Sequence, residues 1–421
     1  MPARHLPGDE PFFREWNAHH GPYTRSRSRA KIFARAISLD TSPSVPVIGV
    51  VGSKGKGSAV AATTQYLMTL GYTVGTISSP PFLTNRERIR LNAKPLPESD
   101  YNALASRVSH ALTLMPPVED TGGYLAPTGL FTLAGADYLL RHGVDALVIE
   151  EGLGGATDEI SQFRLDTLVV TPVFLEHEGV IGDTVDAIAR NLVGAGDERT
   201  REVVFPETLC REAREAIDQL LPNATRHEVS APKDLGFGPL TSMNVATGYA
   251  AASVTHAALQ NLLPSPIQHE EACRLASTLH LPGRSSLVHA HGIRWLLDAA
   301  ISREGVASAL ENARSTGQFD DAHTLVCMPD IKDIASILDL LEKDRTILAT
   351  THEDHLFFEN YPSDWETLPL DQALATMKSR ATSVIALGTM SFAAEMAAYL
   401  ELDTEHWISP GSEARPDKAT K

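Results

Sequence analysis

One segment constrains the fold more tightly than any other: Val47-Ile-Gly-Val-Val-Gly-Ser-Lys-Gly-Lys-Gly-Ser58. An apolar run passes into a glycine-rich turn and then into helical spacing over Ser58–Leu70. Strand, glycine loop and helix in that order bring backbone N–H groups and a helix N-terminus to one point, an arrangement that suits phosphate oxygens. Lys56 is the lysine placed to reach terminal phosphates, and Ser58 is available to a phosphate or to Mg²⁺. The strict G-x-x-x-x-G-K-[ST] pattern is not met, because Val50 stands at its first glycine position and Gly57 follows the lysine. Gly52, Ser53, Lys54, Gly55, Lys56, Gly57 and Ser58 are the candidate nucleotide-binding loop. The sequence contains no Asn-Lys-x-Asp base-reading motif, which disfavours a GTPase.

Other short apolar runs recur at Val45–Val51, Thr73–Ile77, Asp145–Glu150, Thr167–Val173, Ile293–Asp298, Thr324–Met328, Thr346–Thr350 and Ser383–Gly388. Most are too short for helices and read as strands buried on both faces, the parallel type. Helix-period segments such as Phe131–Arg141 lie between them, so the expected class is α/β with parallel sheets. The stretch 183–263 reads as helical. Leu281-Pro-Gly-Arg284 has hinge chemistry and sets the expected boundary between residues 1–281 and 285–409, while the polar stretch 410–421 is expected to be a disordered tail.

Lys plus Arg number 36 and Asp plus Glu 53, for a net charge of −17. That excess argues against non-specific binding to nucleic acid or to an anionic membrane, which need a positive field. No apolar run reaches the length of a bilayer span, and the first residues lack the apolar core of a signal peptide. Cys210, Cys273 and Cys327 stand far apart, so neither a disulfide framework nor a zinc ribbon is expected. A cytoplasmic protein is the resulting expectation. His352-Glu-Asp-His355 is one residue short of H-E-x-x-H, and Gly152-Leu-Gly-Gly155 fails G-x-G-x-x-G because Thr157 stands at the last glycine position. His289-Ala-His291 would share a strand face and is a minor metal candidate.

The loop resembles the Gly-Thr-Asn-Gly-Lys-Gly-Ser loop of folylpolyglutamate and dihydrofolate synthases, within the Mur ligase superfamily. The resemblance continues in order over about residues 20–400. Ile77-Ser-Ser-Pro-Pro-Phe-Leu-Thr-Asn-Arg-Glu-Arg-Ile-Arg-Leu-Asn92 is similar to the family's Thr-Ser-Pro-His loop and Arg-Glu-Arg-Ile-x-x-Asn run. Glu150-Glu-Gly-Leu-Gly-Gly-Ala-Thr-Asp158 is similar to Glu-x-Gly-Leu-Gly-Gly-x-x-Asp. Leu175-Glu-His177 with Ile181–Thr184, Pro282-Gly-Arg284 and Gly388-Thr-Met-Ser391 follow in their places.

The resemblance implies an N-terminal phosphate-loop ATPase domain, a C-terminal Rossmann-like α/β domain, and an ATP-dependent ligase. Such an enzyme turns a carboxylate into an acyl phosphate and lets an amine displace the phosphate. The implied substrates are a carboxylate-bearing small molecule, folate-like by family, and an amino acid, glutamate by family. ATP and Mg²⁺ are the implied cofactors, and a monomer is implied. Ser79, Glu150 and His177 match the Mg²⁺ ligands. Arg284 matches an arginine that reaches the ATP phosphates, Asp298 an aspartate on the ribose, and Asn244 an asparagine close to the adenine. The catalytic set is then Lys56, Glu150, His177 and Arg284, with the active cleft expected between the domains.

Several positions depart from the family. A cleft histidine and asparagine are replaced by Ile301 and Ser302, the loop asparagine by Lys54, and the histidine of Thr-Ser-Pro-His by Pro81. The lysine that family members carbamylate for a second Mg²⁺ aligns with Leu192, so one tightly held Mg²⁺ is expected. Two alternatives stay open: a divergent ligase for a non-folate acid in a specialised pathway, and a nucleotide-binding pseudoenzyme with a regulatory or partner role.

Overall fold

The computed structural model describes residues 6–21, 24–177, 179–230, 232, 235–351 and 356–408. The His352–His355 motif and the stretch 410–421 lie outside the described residues. The chain divides into two compact units: His5–Lys233 with Met243–Leu279 and Ile408–Lys421, and Asp234–Ser242 with His280–Trp407. The short segment Asp234–Ser242 groups with the later residues. A side chain at Gly238 would press on the Ser308 carbonyl at 2.6 Å.

The first unit is built on strands β1 (Val47–Val51), β2 (Val74–Ile77), β3 (Ile89–Leu91), β4 (Lys94–Pro95), β5 (Ala146–Glu150), β6 (Thr167–Val170), β7 (Glu202–Pro206) and β8 (Thr225–Val229). They form one sheet in the order β4-β3-β2-β5-β1-β6-β7-β8. All pairs from β2 to β8 are parallel, and β3 and β4 add an antiparallel edge. Every residue of β1, β2, β5 and β6 is buried, as expected for strands covered on both faces.

The stretch 183–263 is not wholly helical. It contains β7 and β8 between the helices Val185–Val193, Arg211–Leu220 and Pro239–Gln260. β7 opens on Glu202 and closes on Pro206, which interrupts its apolar run. In β8, Thr-Arg-His-Glu-Val is largely exposed because it lies at the sheet edge.

The second unit holds β9 (Ser286–Ala290), β10 (Ile293–Asp298), β11 (His323–Cys327), β12 (Thr346–Thr350), β13 (Thr367–Pro369) and β14 (Ser383–Gly388). Their order is β13-β12-β11-β14-β10-β9, parallel except for the β9–β10 hairpin. It has its own core, including Leu296, Val306, Val326, Leu348 and Leu387. The molecule is therefore mixed α/β with two parallel-dominated sheets.

Topology positions the site in the first unit. β5 lies on one side of β1 and β6 on the other, so the chain crosses from one half of the sheet to the other at β1. Open α/β sheets bind ligands at the C-terminal ends of strands where the order reverses in this way.

Candidate active site

Four loops meet at those strand ends. The first follows β1. Gly52 and Gly55 both adopt positive φ, 138° and 90°, a region that glycine enters without strain. A β-carbon at Gly52 would run into Thr171, and one at Gly55 into the Asn244 side chain. The turn is tied to the strand after it. Ser53 N–H donates to the Pro172 carbonyl at 2.9 Å, and Phe174 N–H donates to Ser53 Oγ at 3.1 Å.

The helix Lys56–Thr69 then begins with Gly55 as its N-cap and no side-chain cap. Its first amides are the orphan donors that every helix N-terminus leaves. Ser58 is buried, and its hydroxyl has no hydrogen-bond partner among the described residues. Uncapped amides beside a buried unpartnered hydroxyl fit an anionic ligand.

Lys56 Nζ donates to the Gly52 carbonyl at 2.5 Å and lies 2.9 Å from Glu151 Oε1. Burial pulls the ammonium's pKa down, but the facing carboxylates of Glu151, Glu150 and Glu176 outweigh this and hold it above the ordinary lysine value. Burial pushes the Glu151 carboxyl up, against the pull of Lys56.

The loop after β2 brings Ser79 to Glu150 at the end of β5: Ser79 N–H donates to Glu150 Oε2 at 3.0 Å. Arg88 Nη1 donates to Ser79 Oγ at 3.0 Å, Arg88 Nε donates to Asn85 Oδ1 at 3.0 Å, and the guanidinium lies over the Phe131 ring. Burial lowers Arg88 to about 10, which leaves it charged at neutral pH. Ser79 and Glu150 are hard oxygen donors held side by side, the kind Mg²⁺ takes together with waters.

His177, in the loop after β6, has φ 50° and is half exposed; its Nε2 lies 3.9 Å from Glu176 Oε2. Among the described residues, no group of three or more His, Cys, Asp or Glu could hold a metal.

Leu192 is buried in the core of the first unit, on the helix Val185–Val193. Asn244, on the helix Pro239–Gln260, lies against Gly55. In the second unit Arg284 and Asp298 come together. Arg284 Nη1 donates to the Ala299 carbonyl at 2.8 Å and lies 3.7 Å from Asp298 Oδ1. Asp298 Oδ2 accepts from Ser285 N–H at 2.8 Å, so this carboxylate also fixes the Pro-Gly-Arg turn. Ser302 caps the helix Arg303–Ser315 by accepting from Gly305 N–H.

The two histidines of His289-Ala-His291 do not share a strand face. β9 ends at Ala290, and His291 turns at φ 55° to bond the Tyr399 carbonyl through Nε2. Sequence reasoning missed Glu151 and Arg88 as site residues. Glu151 sits at the unspecified position of Glu-x-Gly, so only its burial and its lysine partner reveal it.

No family model matches the chain. Dihydrofolate synthase/folylpolyglutamate synthase of Bacillus subtilis is 27% identical over 310 residues, covering 68% of this chain and 70% of that protein. The solved folylpolyglutamate synthase of Mycobacterium tuberculosis complexed with ADP superposes with a TM-score of 0.78 at 15% identity, covering 94% of this chain and 99% of that one. In sequence the chain is similar to dihydrofolate and folylpolyglutamate synthases, and in fold to a folylpolyglutamate synthase. Mitochondrial folylpolyglutamate synthase of Bos taurus is a more partial relative, 31% identical over 173 residues, which are 40% of this chain and 29% of that protein. At such identities the solved structure speaks for the fold. Among the described residues, no helix is long and apolar enough to cross a membrane.

Proposed function

We propose that this chain is an ATP-dependent ligase that joins a carboxylate-bearing small molecule to an amino acid. The names of its relatives point to a folate-type acid and to glutamate. The observation that carries the reading is the loop itself: two positive-φ glycines, an uncapped helix N-terminus, a buried unpartnered Ser58 hydroxyl and a buried lysine. In the reaction, a carboxylate oxygen attacks the γ-phosphorus of ATP and ADP leaves. The amine nitrogen then attacks the acyl carbon, phosphate leaves with the bonding pair, and the amine loses a proton.

Such phosphoryl transfer is mostly positioning and charge neutralisation. Lys56 and the helix amides bind the phosphates. Arg88 orients the Ser79 hydroxyl, and the Ser79 amide orients Glu150. Mg²⁺, when bound, would be held by Ser79 and Glu150, with His177 assigned by resemblance, and would supply charge neutralisation to the polyphosphate. Arg284, Asp298 and Asn244 are proposed to contact phosphate, ribose and adenine respectively; their support is the family resemblance.

ADP release from Mg²⁺-ATP tests the reading, assayed against a panel of pteroate-type and other carboxylic acids, each with and without amino acids. ADP formation that requires both an acid and an amino acid is expected. A folded protein that binds Mg²⁺-ATP and releases no ADP with any pair would overturn the ligase reading.

A further inference from the structure

Glu151 is used neither by the phosphate-loop pattern nor by the proposed metal ligands. It is buried, 2% exposed. Its Oε1 faces Lys56 Nζ at 2.9 Å, and its Oε2 is buried with no hydrogen-bond partner among the described residues. Lys56 meanwhile donates to the Gly52 carbonyl. The ammonium that should meet phosphate is thus already taken by two protein acceptors.

A polyphosphate entering the loop must draw Lys56 off Glu151, and it brings further negative charge towards Glu151, Glu150 and Glu176. A buried carboxylate stripped of the cation that faces it is strongly unfavourable. Something positive has to take the place of the lysine. Glu150 and Ser79, linked by the Ser79 N–H to Glu150 hydrogen bond, offer hard oxygen donors of the kind a divalent cation takes together with waters.

We propose that Glu151 is a positioning residue that couples nucleotide binding to a divalent cation: it parks Lys56 while the loop is empty, and its carboxylate is compensated by the cation once Lys56 turns to the phosphates. This rests on the ATP-binding reading above. It makes ATP without metal a poor ligand, because binding then leaves Glu151 uncompensated. Glu151→Gln keeps the shape and an acceptor for Lys56 but removes the charge.

The test is calorimetric. Dissociation constants for ATP are measured in EDTA and in excess Mg²⁺, for the wild type and for Glu151→Gln. The ratio of the two constants is the metal coupling, and it should fall about fivefold or more in the variant, chiefly because metal-free binding tightens. A smaller fall, no change or a rise overturns the inference while leaving the proposed function standing. A wild type that does not bind Mg²⁺-ATP overturns both. Glu151→Leu, apolar and of similar bulk, serves where the glutamine variant fails to fold, and the same fall is expected. A merely structural role would shift the melting temperature and leave the ratio unmoved.

Discussion

At the scale of single residues, the site depends on where charge is buried. Lys56 is enclosed; burial lowers its pKa, and the facing carboxylates more than offset this and raise it above the ordinary lysine value. Lys56→Ala should remove a charge-assisted contact worth roughly 1.5–3 kcal/mol. ATP affinity should therefore fall by roughly ten- to a hundredfold. Calorimetry with Mg²⁺-ATP checks this, and unchanged affinity in a folded variant would remove the loop from the site. Leu192 presents the opposite case. The resemblance sets a modified lysine at this position as an expectation, yet the leucine side chain is part of the apolar core. A lysine at this place would bury a charge with no partner. Leu192→Lys should cost roughly 3–5 kcal/mol in urea denaturation and gain no bicarbonate-dependent activity. Full stability together with such a gain would show that position 192 can reach a metal.

At the scale of elements, the first unit is closed by helices at the start of the chain. Glu10–His19 and Arg27–Ala36 are joined by a buried pair, in which Arg29 Nε and Nη2 donate to Glu15 at 2.8 and 2.5 Å. Glu15 also accepts from Leu125 N–H, and Arg29 Nη1 donates to the Pro116 carbonyl. Arg29→Met leaves Glu15 buried without its cation, so a loss of roughly 3–5 kcal/mol is expected in chemical denaturation. A change below 1 kcal/mol, with the carboxylate shown to stay buried, would refute the assignment.

The sequence made some elements legible and hid others for physical reasons. β1, β5 and β14 read as mostly apolar runs, because both of their faces are covered. β8 carries Thr-Arg-His-Glu-Val at an edge, where exposed side chains leave no pattern to read. The phosphate loop was legible because its glycines are local requirements of the backbone. The Lys56–Glu151 pair was not, because it joins distant stretches that only the order β5-β1 brings side by side. The burial of Leu192 was not legible from the resemblance, because alignment gives a position but no direction. Its neighbours Ile188, Ala189 and Val193 are buried with it and mark the apolar face of that helix.

At the scale of the whole molecule, two units with separate cores need not unfold as one, and a ligand stabilises whichever unit holds it. The proposed phosphate loop lies wholly in the eight-stranded unit. Free Mg²⁺-ATP at about a hundred times its dissociation constant should stabilise that unit by about 2.7 kcal/mol. For a unit of this size that is a rise of roughly 5–10 °C in its transition. Lys56→Ala at the same nucleotide concentration should show at most about half the stabilisation, because its affinity is roughly tenfold lower or worse. The tryptophans help to assign the transitions. Trp16 lies in the eight-stranded unit, and Trp295, Trp365 and Trp407 in the other. A chain that keeps only Trp16 reports the first unit by fluorescence, while circular dichroism follows both. The Trp16 transition should rise with Mg²⁺-ATP in the wild-type loop and rise less with Lys56→Ala. A Trp16 transition that stays put at saturating nucleotide would place the binding energy outside the loop and remove the basis of the proposed function.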